Sequence, residues 1–490
     1  MKLISSVSVL SWTAATTALA ANPHKPVNVV NQTTCGGTKY EYTGLAGYGF
    51  IPATAVDKYG DTLGGFGSAI AIDQESWRKT GRDSYSGIIY CLPDRGWNTN
   101  GTLNFQSRIH KLAISFKLAP DASANAPSKP NLQLNYLDTI LLTGPDGQPT
   151  TGLDADSTGY ASYNGFPPLP AATYVGDGFG GPGKGGKRVT IDAEGLVLDK
   201  DGFFWISDEY GPYVYKFDKR GKMVLALQPP QAYLPRRNGT LSFSAASPPL
   251  YAPNQLPVPA DPTTGRNNNQ GFEALTLSRD GKTLYTMIQY KHEYAVLLPR
   301  YDDYTEQDPK DASKVASQSE IHQLPTGDFL ILARDSGFGH GQPQSRSVYR
   351  HADVFSISKS TTDLKDTYDA VNGSIASAKG VLNPAITPAE YCPFLDFNVD
   401  AELAKFGLHN GGAQDAGLLN EKWESLALVP VEPNGCQDKP SKKAKEYFLF
   451  SFSDNDFVTQ DGHMNFGRFK YADESGYNLD NQALVFRVRF

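Results

Sequence analysis

Sulfur and histidine are scarce in this chain: 490 residues carry four cysteines, four methionines and eight histidines. No two cysteines have Cys-x-x-Cys spacing and no Cys/His group has zinc-ligand spacing, which removes zinc modules and thioredoxin-type redox centres. The Gly-x-Ser-x-Gly elbow of the serine hydrolases is absent. Beyond the N-terminus no apolar run is long enough to span a membrane. Positive charge is also in deficit, 45 Lys and Arg against 52 Asp and Glu, giving a net charge of -7 and excluding the basic footprint that nucleic-acid binding requires. Amphipathic helical periodicity is missing almost everywhere, the one segment that shows it being Asp400 to Phe406.

What is present is glycine (47), proline (33), a 40% hydrophobic share and 11% aromatics, the profile of a loop-rich, β-rich globular protein. The length is ample for a core that needs no staple to fold. The first residues, "MKLISSVSVLSWTAATTALA", have one Lys, a short apolar run and a small-residue ending, the layout of a secretory signal cleaved after Ala20 or Ala21. A secreted product spanning residues 21–490 as a single domain is expected. Four cysteines then suit disulfides; proximity along the chain suggests Cys35 with Cys91 and Cys392 with Cys436. Asn31, Asn100, Asn238 and Asn372 open Asn-x-Ser/Thr sequons open to glycosylation.

One phrase organises the middle of the chain. "AEGLVLDKDGFFWISDEY" (residues 193–210) reads as a hairpin: strands from Glu194 to Leu198 and Phe203 to Ser207 about an Asp199-Lys200-Asp201-Gly202 turn. Pairing about that turn sets Glu194 beside Ser207 and Asp208, so the outer acids meet at one rim. The phrase recurs as "FEALTLSRDGKTLYTMIQY", with Glu273 in the Glu194 place, and as "WESLALVP…EYFLFSFSDNDF", with Glu424 at the start and Asp454-Asn455-Asp456 at the end. A degenerate copy runs from Gly67 to Gly96, with Ser68 in the Glu position and Asp94-Arg95 at the far end, and "DFLILARDSG" ends in Arg334-Asp335. Irregular hairpin repeats with little helix imply an all-β fold, a single β-propeller of about six or seven blades with long inter-strand loops. "ALVFRVRF" (residues 483–490) suits a closing strand. The glutamates would begin the innermost strands and converge at the channel mouth.

Turn acids such as Asp199, Asp201 and Asp280 are explained by turn chemistry. Glu194, Glu273 and Glu424 are not, since Glu is neither a turn former nor a favoured strand residue. Several carboxylates on one rim raise one another's pKa unless a cation neutralises them, and hard oxygen donors suit calcium. The "GFGGPGKGGKR" run (residues 178–188) fails as a phosphate loop, because Lys184 is followed by Gly185 and a strand follows in place of a helix. His340 and His463 fall in loops and read as structural.

The motifs "LPDRG", "DAEGLVLDKDGFFWISDEYGPYVYKFDKRGK", "NQGFEALTLSRDGKTLY", "FLILARD" and "KWESLAL…FSDNDF", in that order, resemble the phytase-like propeller family, described as having esterase-like activity of phytase. The resemblance implies phosphoester or phosphodiester hydrolysis at a centre of recurrent Glu and Asp residues. Ala333, where an acid commonly precedes Arg-Asp, and Ser425, where Gly usually follows the repeat Glu, depart from the family pattern. On this sequence the expected catalytic groups are Glu209, as general base, with Asp208, Arg95 and Arg334. Asp94, Gln289 and Asn455 would contact substrate, and Glu194, Glu273, Glu424, Asp335, Asp454 and Asp456 would hold calcium. The partner expected is a small anionic or ester substrate. A calcium-dependent lactonase or esterase on the same fold, and a non-catalytic binding propeller, are the alternatives.

Overall fold

The computed structural model describes residues 28–288, 294–306, 313–365, 367–368, 373–377, 380–433 and 445–490. The signal segment, Asn372, Gln289 and Cys436 lie outside the described residues.

The repeated apolar phrases do form antiparallel hairpins, and these grow outward into sheets. The first sheet starts from Ala69–Ile72 and continues through Ser84–Leu92, Arg108–Lys117 and Leu132–Leu141. A second runs Ala193–Leu198, Phe204–Asp208, Val214–Phe217 and Met223–Leu227. A third runs Ser317–Gln323, Phe329–Arg334, Arg350–Ser356 and Glu390–Asp396. The closing sheet begins at Lys422–Trp423 and Ala427–Pro430, continues to Glu446–Asp454 and Asn481–Arg489, and is completed by two N-terminal strands, Thr38–Ile51 and Asn31–Cys35.

These four sheets form a propeller-like arrangement, four blades and not six or seven. The two-stranded hairpin of Phe272–Leu277 and Leu284–Ile288 is wedged between the second and third blades, its inner strand packed on both. The overcount has a physical origin. Long stretches between hairpins, such as residues 142–170 and 242–271, make loops and short bridges in place of further sheets. Helix among the described residues is confined to Asp400–Leu403 with the 3-10 turn Ala404–Phe406, where the sequence shows helical periodicity, and to a short 3-10 turn at Gln231–Tyr233.

The core is a set of seams between neighbouring blades. Ile109, Leu196, Ile206 and Tyr215 join the first blade to the second, Ile89, Phe116, Phe448 and Val485 join it to the closing blade, and Leu332, Val354, Trp423 and Phe486 join the third to the closing one. The expected cysteine pairing is overturned: Cys35 is bonded to Cys392, and Cys91 is a buried free thiol. Cys35 ends the outermost strand of the closing blade and Cys392 lies in the outermost strand of the third. The bond therefore crosses a seam between blades that are distant in sequence, a contact chain proximity could not suggest.

Candidate functional site

The repeat glutamates sit where the ladder between the first two strands is interrupted. In the second blade Ala193 faces Asp208 and Gly195 faces Ser207, leaving Glu194 bulged between them. In the wedged hairpin Phe272 faces Ile288 and Ala274 faces Met287, leaving Glu273 in the same state. Glu424 follows the pair Trp423–Ser453, and pairing resumes only at Ala427–Phe450. A bulge re-aims the side chain it carries. All three glutamates turn into one electrostatic neighbourhood, since both Glu273 and Glu424 raise the proton affinity of Glu194.

That neighbourhood has two unlike sectors. In the first, Asp192, Glu194 and Glu209 each present an oxygen within 4.8 Å of the others. Asp192 and Glu209 are 1% and 2% exposed. Arg95 Nη1 lies 2.8 Å from Asp192 Oδ2 and donates to Asn269 Oδ1 at 2.8 Å, with its guanidinium 5.9 Å from the Tyr210 ring centroid. Even so, Asp192 Oδ1 and Glu209 Oε1 have no hydrogen-bond partner. Burial, reinforced by neighbouring carboxylates, holds Glu194 and Glu273 well above the usual carboxylate range. Burial pushes Asp192 up to about 7 against the opposing pull of Arg95. Glu209 is among the neighbours that raise Glu273, so these two carboxyls act directly on each other.

In the second sector the protein supplies its own cations. Lys422 Nζ donates to Asp454 Oδ2 at 3.1 Å and Asp456 Oδ1 at 2.8 Å, and lies 3.6 Å from Glu424 Oε2. Arg334 Nη2 meets Glu424 Oε1 at 2.5 Å, and its Nη1 is 3.8 Å from Glu421. Burial would raise Glu424, but Lys422 and Arg334 outweigh it and hold the carboxyl below its ordinary value. Asp94 joins Asp454 and Asp456 in a cluster whose oxygens lie within 4.8 Å of one another, and burial and Asp454 push it well up despite Lys422. The ammonium of Lys422 thus offsets part of the charge of these acids.

The acids that end the second strands have another engagement. Asp208 accepts from Asp192 N, Tyr210 N, Gly211 N and the Tyr215 hydroxyl, so both its oxygens are committed to shaping the following turn. Asp335 does the same with Ser347 Oγ, Val348 N and Tyr349 N. Asp94 accepts from Gly96 N. Asn455 accepts from Gly65 N and Phe457 N and donates to Leu479 O. Gln289 lies outside the described residues.

Asp192 and Lys422 escaped the sequence reading, although a signal for both exists. Each stands two residues before a repeat glutamate. The corresponding place before Glu273 is Gly271, where a Cβ would fall 2.1 Å from Glu209 O. Acid, glycine and lysine at one repeat position thus set the charge balance of each sector.

Residues 62–457 match the family model described as "Phytase-like: Esterase-like activity of phytase". An uncharacterized secreted protein of Arthroderma benhamiae is 56% identical over 496 residues, covering 94% of this chain and 96% of the relative. The matched span takes in every rim residue from Asp94 to Asp456, and on that ground the chain belongs to the phytase-like family.

Proposed function

We propose that the protein is a secreted, calcium-assisted hydrolase of phosphoesters or phosphodiesters, working at the first sector of the rim. The observation that carries this reading is buried carboxylate oxygen without a hydrogen-bond partner: Asp192 Oδ1 and Glu209 Oε1 are unsatisfied beside Glu194, although Arg95 pairs with Asp192. Several hard oxygens from different strands fit calcium, which accepts high and flexible coordination. Asp192, Glu194 and Glu209 would hold the ion, which when bound polarises a phosphoryl oxygen and lowers the pKa of water.

The remaining steps belong to side chains. Arg95, steered by Asn269 and Tyr210, presents a guanidinium edge to an anionic substrate and stabilises charge developing on phosphoryl oxygens. Glu209 and Glu273, neighbouring carboxyls of raised proton affinity, are the pair placed to accept a proton from attacking water. Arg334 and Lys422 hold Glu424 below its ordinary value, and Lys422 also pairs with Asp454 and Asp456.

Export fits the N-terminal signal layout and the secreted relative, and no helix among the described residues is long and apolar enough to cross a membrane. The test is turnover of bis(p-nitrophenyl) phosphate, p-nitrophenyl phosphate and phytate by purified protein, in EDTA and with calcium, beside a panel of lactones. Phosphoester cleavage that is lost in EDTA and restored by calcium is expected. Folded, calcium-replete protein that cleaves only lactones, or nothing, overturns the proposal.

A further inference from the structure

A polar cavity of about 400 Å³ opens at the first blade beside the glycine-rich loop, and its lining includes Lys184, Arg188 and Arg468. It lies on the face of the blade that carries the rim. Asp94 and Arg95 follow the end of Ser84–Leu92, and the cavity residue Arg108 begins the strand that runs back from that edge, with Cys91 facing His110.

The cations of this cavity differ in kind. Arg108 is 1% exposed and fully compensated, with Asp57 at 2.8 Å and Asp61 at 2.9 Å. Lys184, Arg188 and Arg468 form no ion pair among the described residues. Arg188 is nevertheless held in place: its Nη1 donates to Asn104 Oδ1 at 3.0 Å and its guanidinium lies 5.2 Å from the Tyr174 ring centroid. Asn104 is oriented in turn by donating to Asp177 O at 2.9 Å.

The loop is built around that support. Asp177 Oδ1 accepts from Phe179 N and Gly181 N, each at 2.9 Å, and its Oδ2 accepts from Asn465, so its charge is turned into the loop. Gly178 has φ +79°, and a Cβ there would fall 2.4 Å from Asn104 Cβ. The glycines that fail to make a phosphate loop by sequence instead let the loop press on the residue that aims Arg188. In a chain of net charge -7, three uncompensated cations around one cavity, one of them braced on an aromatic ring, is the arrangement that recognises oxyanions.

We propose that this cavity is an oxyanion-binding site, taking phosphoryl or sulfuryl groups of a small polyanion through Lys184, Arg188 and Arg468. Its lining shares no residue with the rim acids or Arg95, and it needs no calcium.

The test is isothermal titration of the full secreted chain with inorganic phosphate, sulfate and tripolyphosphate, all in EDTA so that no rim calcium can bridge an anion. Wild type is expected to bind tripolyphosphate more tightly than the single ions, with affinity falling as salt rises. R188Q and R468Q are expected to weaken binding by about tenfold each, as loss of a charge-assisted contact would. K117Q, which removes the same charge from an exposed site elsewhere on the first blade, is expected to bind as wild type. Unliganded melting temperatures check folding; R468Q and K184Q alter exposed side chains and keep the test available if R188Q is unstable. No binding by wild type, or equal loss in K117Q and R468Q, overturns the proposal. Because calcium is absent throughout, either result is independent of the rim chemistry.

Discussion

Replacing Asp192 with asparagine separates a carboxylate kept for a cation from one kept for structure. In metal-free protein, burial pushes Asp192 from its ordinary 3.8 up to about 7, with Arg95 opposing. That displacement of about three pH units corresponds to about 4 kcal/mol at 1.36 kcal/mol per unit. Because the folded value is raised, the stabilisation is fully present below the unfolded value near 4 and is lost as pH rises through about 7. Asp192→Asn cannot ionise and keeps it. Unfolding entropy of about 2.1 cal/mol/K per residue gives a 490-residue chain about 1 kcal/mol/K. The variant should therefore melt up to about 4 °C above wild type at pH 8.5 in EDTA, and level with it at pH 4. Calcium should reverse the order: at a hundredfold excess over its Kd, wild type gains about 2.7 kcal/mol, and a variant lacking one ligand gains less. Scanning calorimetry at both pH values, with EDTA and with calcium, reads all of this. A variant that melts below wild type in EDTA at pH 8.5, or that responds to calcium as wild type does, would refute the reasoning.

Lys422→Met should act with the opposite sign, because it strips the cation from Asp454, Asp456 and Glu424. A loss of about 3–5 kcal/mol is expected, read as a lower melting temperature in EDTA and partly recovered by calcium entering the vacated charge. Gly271→Ala drives a methyl against Glu209 O and should cost about 1–3 kcal/mol while blunting the calcium-induced rise in melting temperature. A peptide map without reductant should join Cys35 to Cys392, and Cys91 should resist iodoacetamide until the chain unfolds. Cys35→Ser should lower stability by up to about 5 kcal/mol, given the length of chain the bond encloses.

The hairpins and their shared rim were legible because strand alternation and turn chemistry are local: Asp199, for instance, accepts from Asp201 N and Phe203 N as a turn acid should. Convergence of Glu194, Glu273 and Glu424 followed from the repeat alone. Blade number was not legible, since it depends on whether the chain between hairpins pairs again or wanders, which is decided by distant partners. The same holds for Cys35, whose neighbour in space is set by ring closure. The finer division of the acids was hidden for a related reason. Asp208 and Asp335 look like the other rim acids in sequence, yet their oxygens accept from backbone donors of the next turn, while Lys422 shares its repeat position with Asp192 and Gly271, whose unlike side chains mask the correspondence.

Ring closure has a bearing on how the molecule comes to exist. Thr38–Ile51 lies against Asn481–Arg489, so that strand must wait for one made far later in the chain before it gains that partner. The rim joins Asp94 to Asp454 and Asp456 and is likewise incomplete until those residues have been made. Such long-range pairing slows folding. It also makes Asn481–Arg489 the middle of its sheet, flanked by Glu446–Asp454 on the other side. A chain truncated before that strand would not lose a tail; it would be left with two open β-edges and an unjoined ring, a state prone to aggregate during export.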